Sequence, residues 1–264
     1  MKLFYREFGT GIPLVILHGL YGSSDNWVGI AKKLSANFRV ILPDQRNHGN
    51  SGKDPIHTYN AMAHDIADLT NSLKIDRFFL AGHSMGGKCA IHFSMLYPEK
   101  LLGLTVIDIS PFKPAENDNS AYLFHKKVLG QLCKLNTDSL QSREEADQQL
   151  SSGISSAKIR AFLLKNLSRD SNKKFILKLK PEILLDNLHN ITDGLERKIN
   201  PDPISGFPVR FIRASNSDYI PEKDIELIEQ HYPAADIITV AYSSHWIHAE
   251  QPEKIIELLL NQIE

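Results

Sequence analysis

Along the first 111 residues two hydrophobic rhythms alternate. Short runs rich in β-branched and aromatic residues occur at Pro13–Leu17 (PLVIL), Arg39–Leu42 (RVIL), Arg77–Ala81 (RFFLA) and Leu104–Ile109 (LTVIDI). Runs of this length and continuity read as buried strands. Lys2–Phe8, with polar residues interspersed, reads as an edge strand. Between them, Asp25–Leu34, Tyr59–Leu73 and Ser84–Tyr97 carry apolar residues at helical spacing. In the second, Met62, Ile66, Leu69 and Leu73 recur every three or four residues and mark one buried face. Strands alternating with helices of this length predict an α/β fold, a parallel sheet with helices on both faces.

The rhythm breaks after Pro111. From Phe112 to Gly206 there is no convincing buried strand. Ser120–Lys134, Thr137–Ser151 and Ser156–Leu167 read as helices, separated by polar stretches such as NDNS and SRDSNKK. After Gly206 the strand–helix rhythm returns, with strands at Val209–Ala214 and Asp236–Val240 and helices over Pro221–His231 and Pro252–Ile263. Pro221 and Pro252 fall where a first helical turn tolerates proline. The expected organisation is one α/β domain, residues 1–111 and 206–264, interrupted by a helical insertion over 112–205.

Composition narrows the function classes. The 264 residues carry 30 Lys and Arg against 31 Asp and Glu, a formal net charge of −1. That leaves no broad basic field for a nucleic-acid backbone. No run approaches the roughly 18 consecutive apolar residues of a membrane-spanning helix. Met1–Phe8 carries Lys2, Arg6 and Glu7 in a strand-like alternation, not a secretory apolar stretch, and the expected location is the cytoplasm. Two cysteines, Cys89 and Cys133, are too few for a disulfide framework and lack metal-ligand spacing; both are expected to be buried free thiols.

The chemistry concentrates at three places. Arg77–Ala81 runs into Gly82-His83-Ser84-Met85-Gly86-Gly87 and a helical pattern follows, which is G-x-S-x-G between strand and helix. Such a turn strains the serine backbone and projects its hydroxyl above the sheet edge, and the helix N-terminus behind it favours a developing oxyanion. The same stretch, Gly82-x-x-x-x-Gly87-Lys88, matches seven positions of a phosphate-binding P-loop. The eighth is Cys89 where Ser or Thr should hold magnesium, so Lys88 reads as an ordinary helix residue. Upstream, Pro13–Leu17 ends in His18-Gly19-Leu20-Tyr21-Gly22. A serine hydrolase needs one oxyanion donor after the nucleophile and one from an early loop; the N–H groups of Met85 and Leu20 fit those posts, with His18 expected to stabilise the loop.

A hydroxyl nucleophile also needs a base, and the base a third group to orient it. The loop before the last helix, Ala241 to Pro252, holds His245 and His248. His245 is nearer the strand end and is the expected base, whereas His248 is expected to face the helix N-terminus or solvent. Two carboxylates qualify as the third group. Asp108 closes a hydrophobic strand, where an unpartnered acid is costly. Asp218 follows the next strand, where a turn or capping role is the alternative.

With LHGLYGSSDNW (17–27), PDQRNHGNS (43–51), GHSMGGK (82–88), DISP (108–111) and HWIHAEQP (245–252), the two flanks of the chain resemble the α/β-hydrolase superfamily. More narrowly, they resemble the YbfF-type bacterial esterases and the related abhydrolase-domain-containing 11 group. The resemblance implies a mostly parallel eight-stranded sheet flanked by helices, with a helical cap over the site. It also implies Asp108 as the acid, because this subgroup carries it on the DI-(small)-P segment; the commoner superfamily position matches Ser217, one short of Asp218. Ser244 stands where many relatives have Gly. Arg46, Asn47 and His48 occupy a segment that often reads R-G-H-G, expected to be structural or to border the acyl pocket.

The expected function is therefore hydrolysis of a small-molecule acyl ester or thioester, acyl-CoA included. Ser84, His245 and Asp108 act in relay, Leu20 and Met85 form the oxyanion hole, and no metal or organic cofactor is required. Aromatic and aliphatic residues of the insertion, among them Phe112, Tyr122, Phe124, Leu129 and Phe162, would line the acyl pocket or pack the cap. The rival readings are a P-loop nucleotide-binding protein, a non-catalytic ligand receptor, and other chemistry on the same scaffold such as C–C bond hydrolysis or acyltransfer.

Overall fold

The computed structural model describes residues 1–115, 118–198 and 203–262. In chain order the first half gives β1 (Tyr5–Phe8), β2 (Ile12–Leu17), α1 (Val28–Leu34), β3 (Phe38–Pro43), α2 (Tyr59–Ser72), β4 (Phe78–His83), α3 (Met85–Leu96) and β5 (Leu101–Ile107). The inserted segment holds α4 (Ser120–Lys134), α5 (Arg143–Ser151), α6 (Ala157–Leu163), β6 (Leu167–Arg169), β7 (Phe175–Leu177), α7 (Pro181–Asp186) and α8 (Leu188–Thr192). The chain closes with β8 (Val209–Ala214), α9 (Ile225–His231), β9 (Ala235–Val240), α10 (Ile247–Glu250) and α11 (Pro252–Leu260). Residue 263, the expected end of the last helix, lies outside the described residues.

The sheet runs in the order β1-β3-β2-β4-β5-β8-β9. Only β1 is antiparallel to its neighbour. Successive residues of a strand face opposite sides, and the core divides accordingly. Leu14 and Ile16 of β2 pack with α1 and α11 through Ile30, Leu34, Ile255 and Leu259. Val15 and Leu17 pack with α2, α3 and α9 through Met62, Ile66, Phe93 and Ile228. Apolar runs buried on both faces are what a covered parallel sheet requires. Each fully buried aliphatic side chain contributes about 1.5–3 kcal/mol.

Seven strands form this sheet among the described residues, not eight. The chain ahead of β1 is spent on other contacts: Phe4 N–H donates to Ser51 Oγ at 2.8 Å and the Met1 ammonium to Asp65 at 2.9 Å. The inserted segment is not purely helical either, because β6 and β7 form an antiparallel hairpin separate from the main sheet. α5 starts later than Thr137, where Ser142 accepts from Glu145 N–H at 3.2 Å and caps it. Cys89 is buried as expected, whereas Cys133 is only half-buried. Among the described residues no helix is long and apolar enough to cross a membrane.

Parallel strands deliver their carboxyl ends to one edge of the sheet, where ligands of such folds bind. Six loops leave the sheet there, following β2, β3, β4, β5, β8 and β9. The segment between β5 and β8 leaves at that edge, and its Phe124, His125 and Ile159 line a cavity there with Leu20 and Ser84 of the converging loops.

Candidate active site

Ser84 alone makes the turn between β4 and α3. It adopts φ 54° and ψ −119°, strained for a residue with a Cβ and held only where the surroundings enforce it. Glycines supply the room. A Cβ on Gly82 would stand 2.1 Å from the Gly86 carbonyl oxygen, and one on Gly86 2.5 Å from that of Leu17. Ser84 N–H donates to Ile107 O at 3.0 Å, so the hydroxyl is fixed over the ends of β4 and β5. This geometry overturns the P-loop alternative, since helix follows strand after one residue and leaves no loop to wrap a phosphate. Cys89 is buried within α3, and Lys88 donates to the main-chain oxygens of Thr192 and Asp193.

Ser84 Oγ lies 3.0 Å from His245 Nε2, and His245 Nδ1 lies 2.8 Å from Asp108 Oδ2. With Nδ1–H donating to the carboxylate, Nε2 is left to accept the serine proton. Asp108 follows β5 at φ 49° and is fully buried. Its desolvation is offset by Ala214 N–H at 3.0 Å and Ser217 Oγ–H at 2.5 Å, besides the imidazole. Asp218 is exposed and does not meet His245. Ser217, the residue in the commoner acid position, instead donates to the carboxylate that does.

His245 is held at its ring and at its backbone besides its bond to the carboxylate. The Tyr219 ring stacks on it at 3.7 Å between centroids and 15° between planes. The buried neighbour of the serine, His83, donates from Nε2 to the His245 carbonyl at 2.8 Å. Burial keeps His83 well below the usual histidine pKa, so a neutral ring makes that bond. Of these supports, His83 lies within a recognisable motif and Ser217 at the commoner acid position, whereas Tyr219 carries no sequence signal. His248 departs from expectation. It is buried on α10, stacked on Trp27 at 4.9 Å and 4.7 Å from the His83 ring, and burial pushes it down to about 4.

Leu20 sits opposite the serine in the loop after β2. The N–H groups of Tyr21 and Gly22 are spent on His48 Nε2 at 3.3 Å and Gly19 O at 2.9 Å, while that of Leu20 has no acceptor among the described residues. Met85, first residue of α3, has its N–H outside the helix's own ladder. His18 braces the loop as expected, with Nδ1 donating to Gly19 O at 2.9 Å and Nε2 accepting from Gln45 N–H at 3.0 Å. Arg46 is structural, pairing with Asp65 at 2.6 Å, and Asn47 and His48 are buried behind the loop.

Two cavities meet at the serine. One of about 260 Å³ is mainly apolar and is bounded by Trp27, Tyr21, Phe124, Phe162, His248 and Trp246. The other, about 910 Å³, opens outward past Lys88, Phe112 and Arg197. Ser84, Leu20, His125, Tyr219 and His245 line both. Among the described residues no group of three or more His, Cys, Asp or Glu is placed to hold a metal ion.

A serine, an imidazole and a buried carboxylate in hydrogen-bonded series can carry acyl transfer through a covalent intermediate. Residues 12–252 match the α/β hydrolase fold family. The chain is 30% identical to esterase YbfF of Escherichia coli (strain K12), over 94% of this chain and 91% of that protein. It is 33% identical to the sn-1-specific diacylglycerol lipase ABHD11 of Xenopus laevis, over 96% of this chain and 80% of the relative. A solved marine microorganism esterase superposes with a TM-score of 0.92 at 38% identity, over 99% of both chains. With likeness of that extent in sequence and in backbone, the chain belongs to the α/β hydrolase fold family.

Proposed function

We propose that this protein is a serine esterase that hydrolyses short- to medium-chain carboxylic esters or acyl thioesters, acyl-CoA included. The observation that carries the reading is the relay from Ser84 Oγ through His245 to Asp108, at 3.0 and 2.8 Å. Ser84 attacks the acyl carbonyl as His245 Nε2 takes its proton, and Asp108 stabilises the imidazolium. The N–H groups of Leu20 and Met85 receive the oxyanion; removing such a donor typically costs about 10²–10³ in rate. His245 then protonates the leaving alcohol or thiol. It next takes a proton from water, which attacks the acyl-enzyme and returns free serine and the acid.

Residues 112–205 serve as a cap on a core made of 1–111 and 206–264. Contacts that bind the two support this division. Tyr21 Oη meets His125 Nδ1 at 3.0 Å, Asn166 Nδ2 donates to Tyr21 O at 2.8 Å, and Tyr59 Oη donates to Ile191 O at 2.6 Å. The apolar cavity, just below the range of about 300–1,000 Å³ for ligand pockets, takes the acyl chain, and the larger one takes the leaving group. p-Nitrophenyl esters from C2 to C12 test the reading, together with labelling by a fluorophosphonate probe. Cleavage peaking at short to medium chains, with labelling lost in Ser84→Ala, is expected. No cleavage of any ester and no labelling would overturn it.

A further inference from the structure

Lys88 is unused by the chemistry above, yet it stands beside the serine. Its N–H donates to Ser84 O at 3.0 Å, one turn into α3. That bond closes the first turn of α3 against the nucleophile's own carbonyl. The side chain is only 6% exposed and lines the larger cavity together with Ser84 and His245. Its ammonium donates to the main-chain oxygens of Thr192, at 3.4 Å, and of Asp193.

Among the described residues no carboxylate oxygen lies within 4.0 Å of Nζ. Arg46, equally buried, meets Asp65 at 2.6 Å. A buried cation without a counter-ion is costly. Two of the three ammonium N–H donors face carbonyls, which leaves one for a ligand. Other charges on the cavity wall do not fill that role. Arg197 is bound to Asp224 at 2.6 Å and Lys158 to Glu250 at 2.7 Å. Asp118 and Asp218 are exposed, where solvent and salt screen them.

We propose that Lys88 recognises a carboxylate on the substrate, so that the enzyme prefers anionic esters over neutral ones. The inference rests on the esterase reading and names its substrate class. The anionic group sits a few bonds from the scissile carbonyl, because the backbone of Lys88 is one turn from the nucleophile and its side chain lines the same cavity. A half-ester of a short dicarboxylic acid meets that spacing, as does an ester whose alcohol carries the carboxylate. Burial pushes the Lys88 ammonium down to about 8, against the raising influence of Asp193 and with Arg197 reinforcing. The other titratable group that senses it, His92, is held near 4 and stays neutral across that range.

The test measures kcat/KM by alkali uptake on two matched pairs: ethyl hydrogen succinate against ethyl butyrate, and 3-acetoxypropanoate against propyl acetate. The first pair places the anion on the acyl side and the second on the alcohol side. The expected result is an anionic-over-neutral ratio above one for at least one pair, lowered about tenfold or more in Lys88→Met. In the wild type the same ratio should fall between pH 7 and pH 9 as the ammonium loses its proton; triad effects cancel in it, and it decides the matter if the variant does not fold. Ratios at or below one for both pairs, or ratios indifferent both to the substitution and to pH, would leave Lys88 as a cap on the α8 carbonyls and overturn the proposal. Neutral esters cleaved normally in that event would leave the esterase reading standing. No turnover of any of the four would overturn both.

Discussion

Replacing Asp108 by Asn separates the role of charge from that of shape at the centre of the site. Asp108 Oδ1 accepts from Ala214 N–H, and that contact survives with the amide oxygen in the same place. Oδ2 becomes an NH₂ group facing two former donors, Ser217 Oγ–H and His245 Nδ1–H. The serine hydroxyl can rotate and accept. The imidazole can only accept if its proton moves to Nε2, and it then no longer takes the proton of Ser84. On the proposed mechanism kcat falls about 10⁴-fold, or about 5.5 kcal/mol of transition-state stabilisation. The folded state loses far less, about 1–3 kcal/mol for the altered hydrogen bonds, or roughly 2–4 °C in Tm per kcal/mol for a chain of this size. Steady-state hydrolysis of p-nitrophenyl acetate and a thermal melt measure the two effects, with Asp218→Asn as the control that stays within about twofold. Near-normal kcat in Asp108→Asn, with Asp218→Asn inactive, would refute the assignment of the acid.

Other perturbations probe the supports. Ser217→Ala removes one donor from the buried carboxylate but leaves its contact with His245; a stability loss of about 1.5–3 kcal/mol, read as a lower Tm, should accompany a kcat within about tenfold of normal, and an unchanged Tm would count against this contact. Gly86→Ala places a Cβ 2.5 Å from Leu17 O and 2.6 Å from His18 O; the strain costs about 3 kcal/mol and pushes the Leu20 loop from Ser84, so both Tm and kcat should drop, and normal activity would show that the loop yields freely. Acid should weaken the fold early: burial holds His57 near 3 and His125 and His248 near 4, whereas the unfolded chain protonates near 6.5. Stability is thus full above about pH 6.5 and falls toward pH 4 by up to about 1.4 kcal/mol per pH unit for each of the three, and a Tm flat between pH 6.5 and 5 would contradict that.

What the sequence made legible follows the range of the interactions involved. The turn at Ser84 is encoded within seven residues and reads directly from them, as do the buried strands. The eighth strand was an expectation of resemblance; the apolar runs themselves account for the seven that form. The hairpin of β6 and β7 escaped because three-residue strands are too short to display a period of two. α7 and α8, at six and five residues, likewise offer less than two turns of pattern. Lys88 read as ordinary because its surroundings arrive from Thr192 and Asp193, 104 and 105 positions away.

The ambiguity over the acid has a different origin. β5 and β8 are paired neighbours in register from Leu104 with Val209 to Ile107 with Ile212, so the residues just past their ends reach the same point beside His245. A carboxylate supplied from either strand can orient the imidazole, and local pattern alone does not distinguish them. Here the β5 end carries the carboxylate and the β8 end supplies, through Ser217, the hydroxyl that bonds to it. A carboxylate placed at 217 would stand against Asp108 as a second buried like charge beside one imidazole, which one protonated ring cannot neutralise. The exclusion acts at position 217, which meets the carboxylate, and not at the exposed Asp218 beside it; it is this electrostatic exclusion, more than any motif, that ties the identity of residue 217 to that of residue 108.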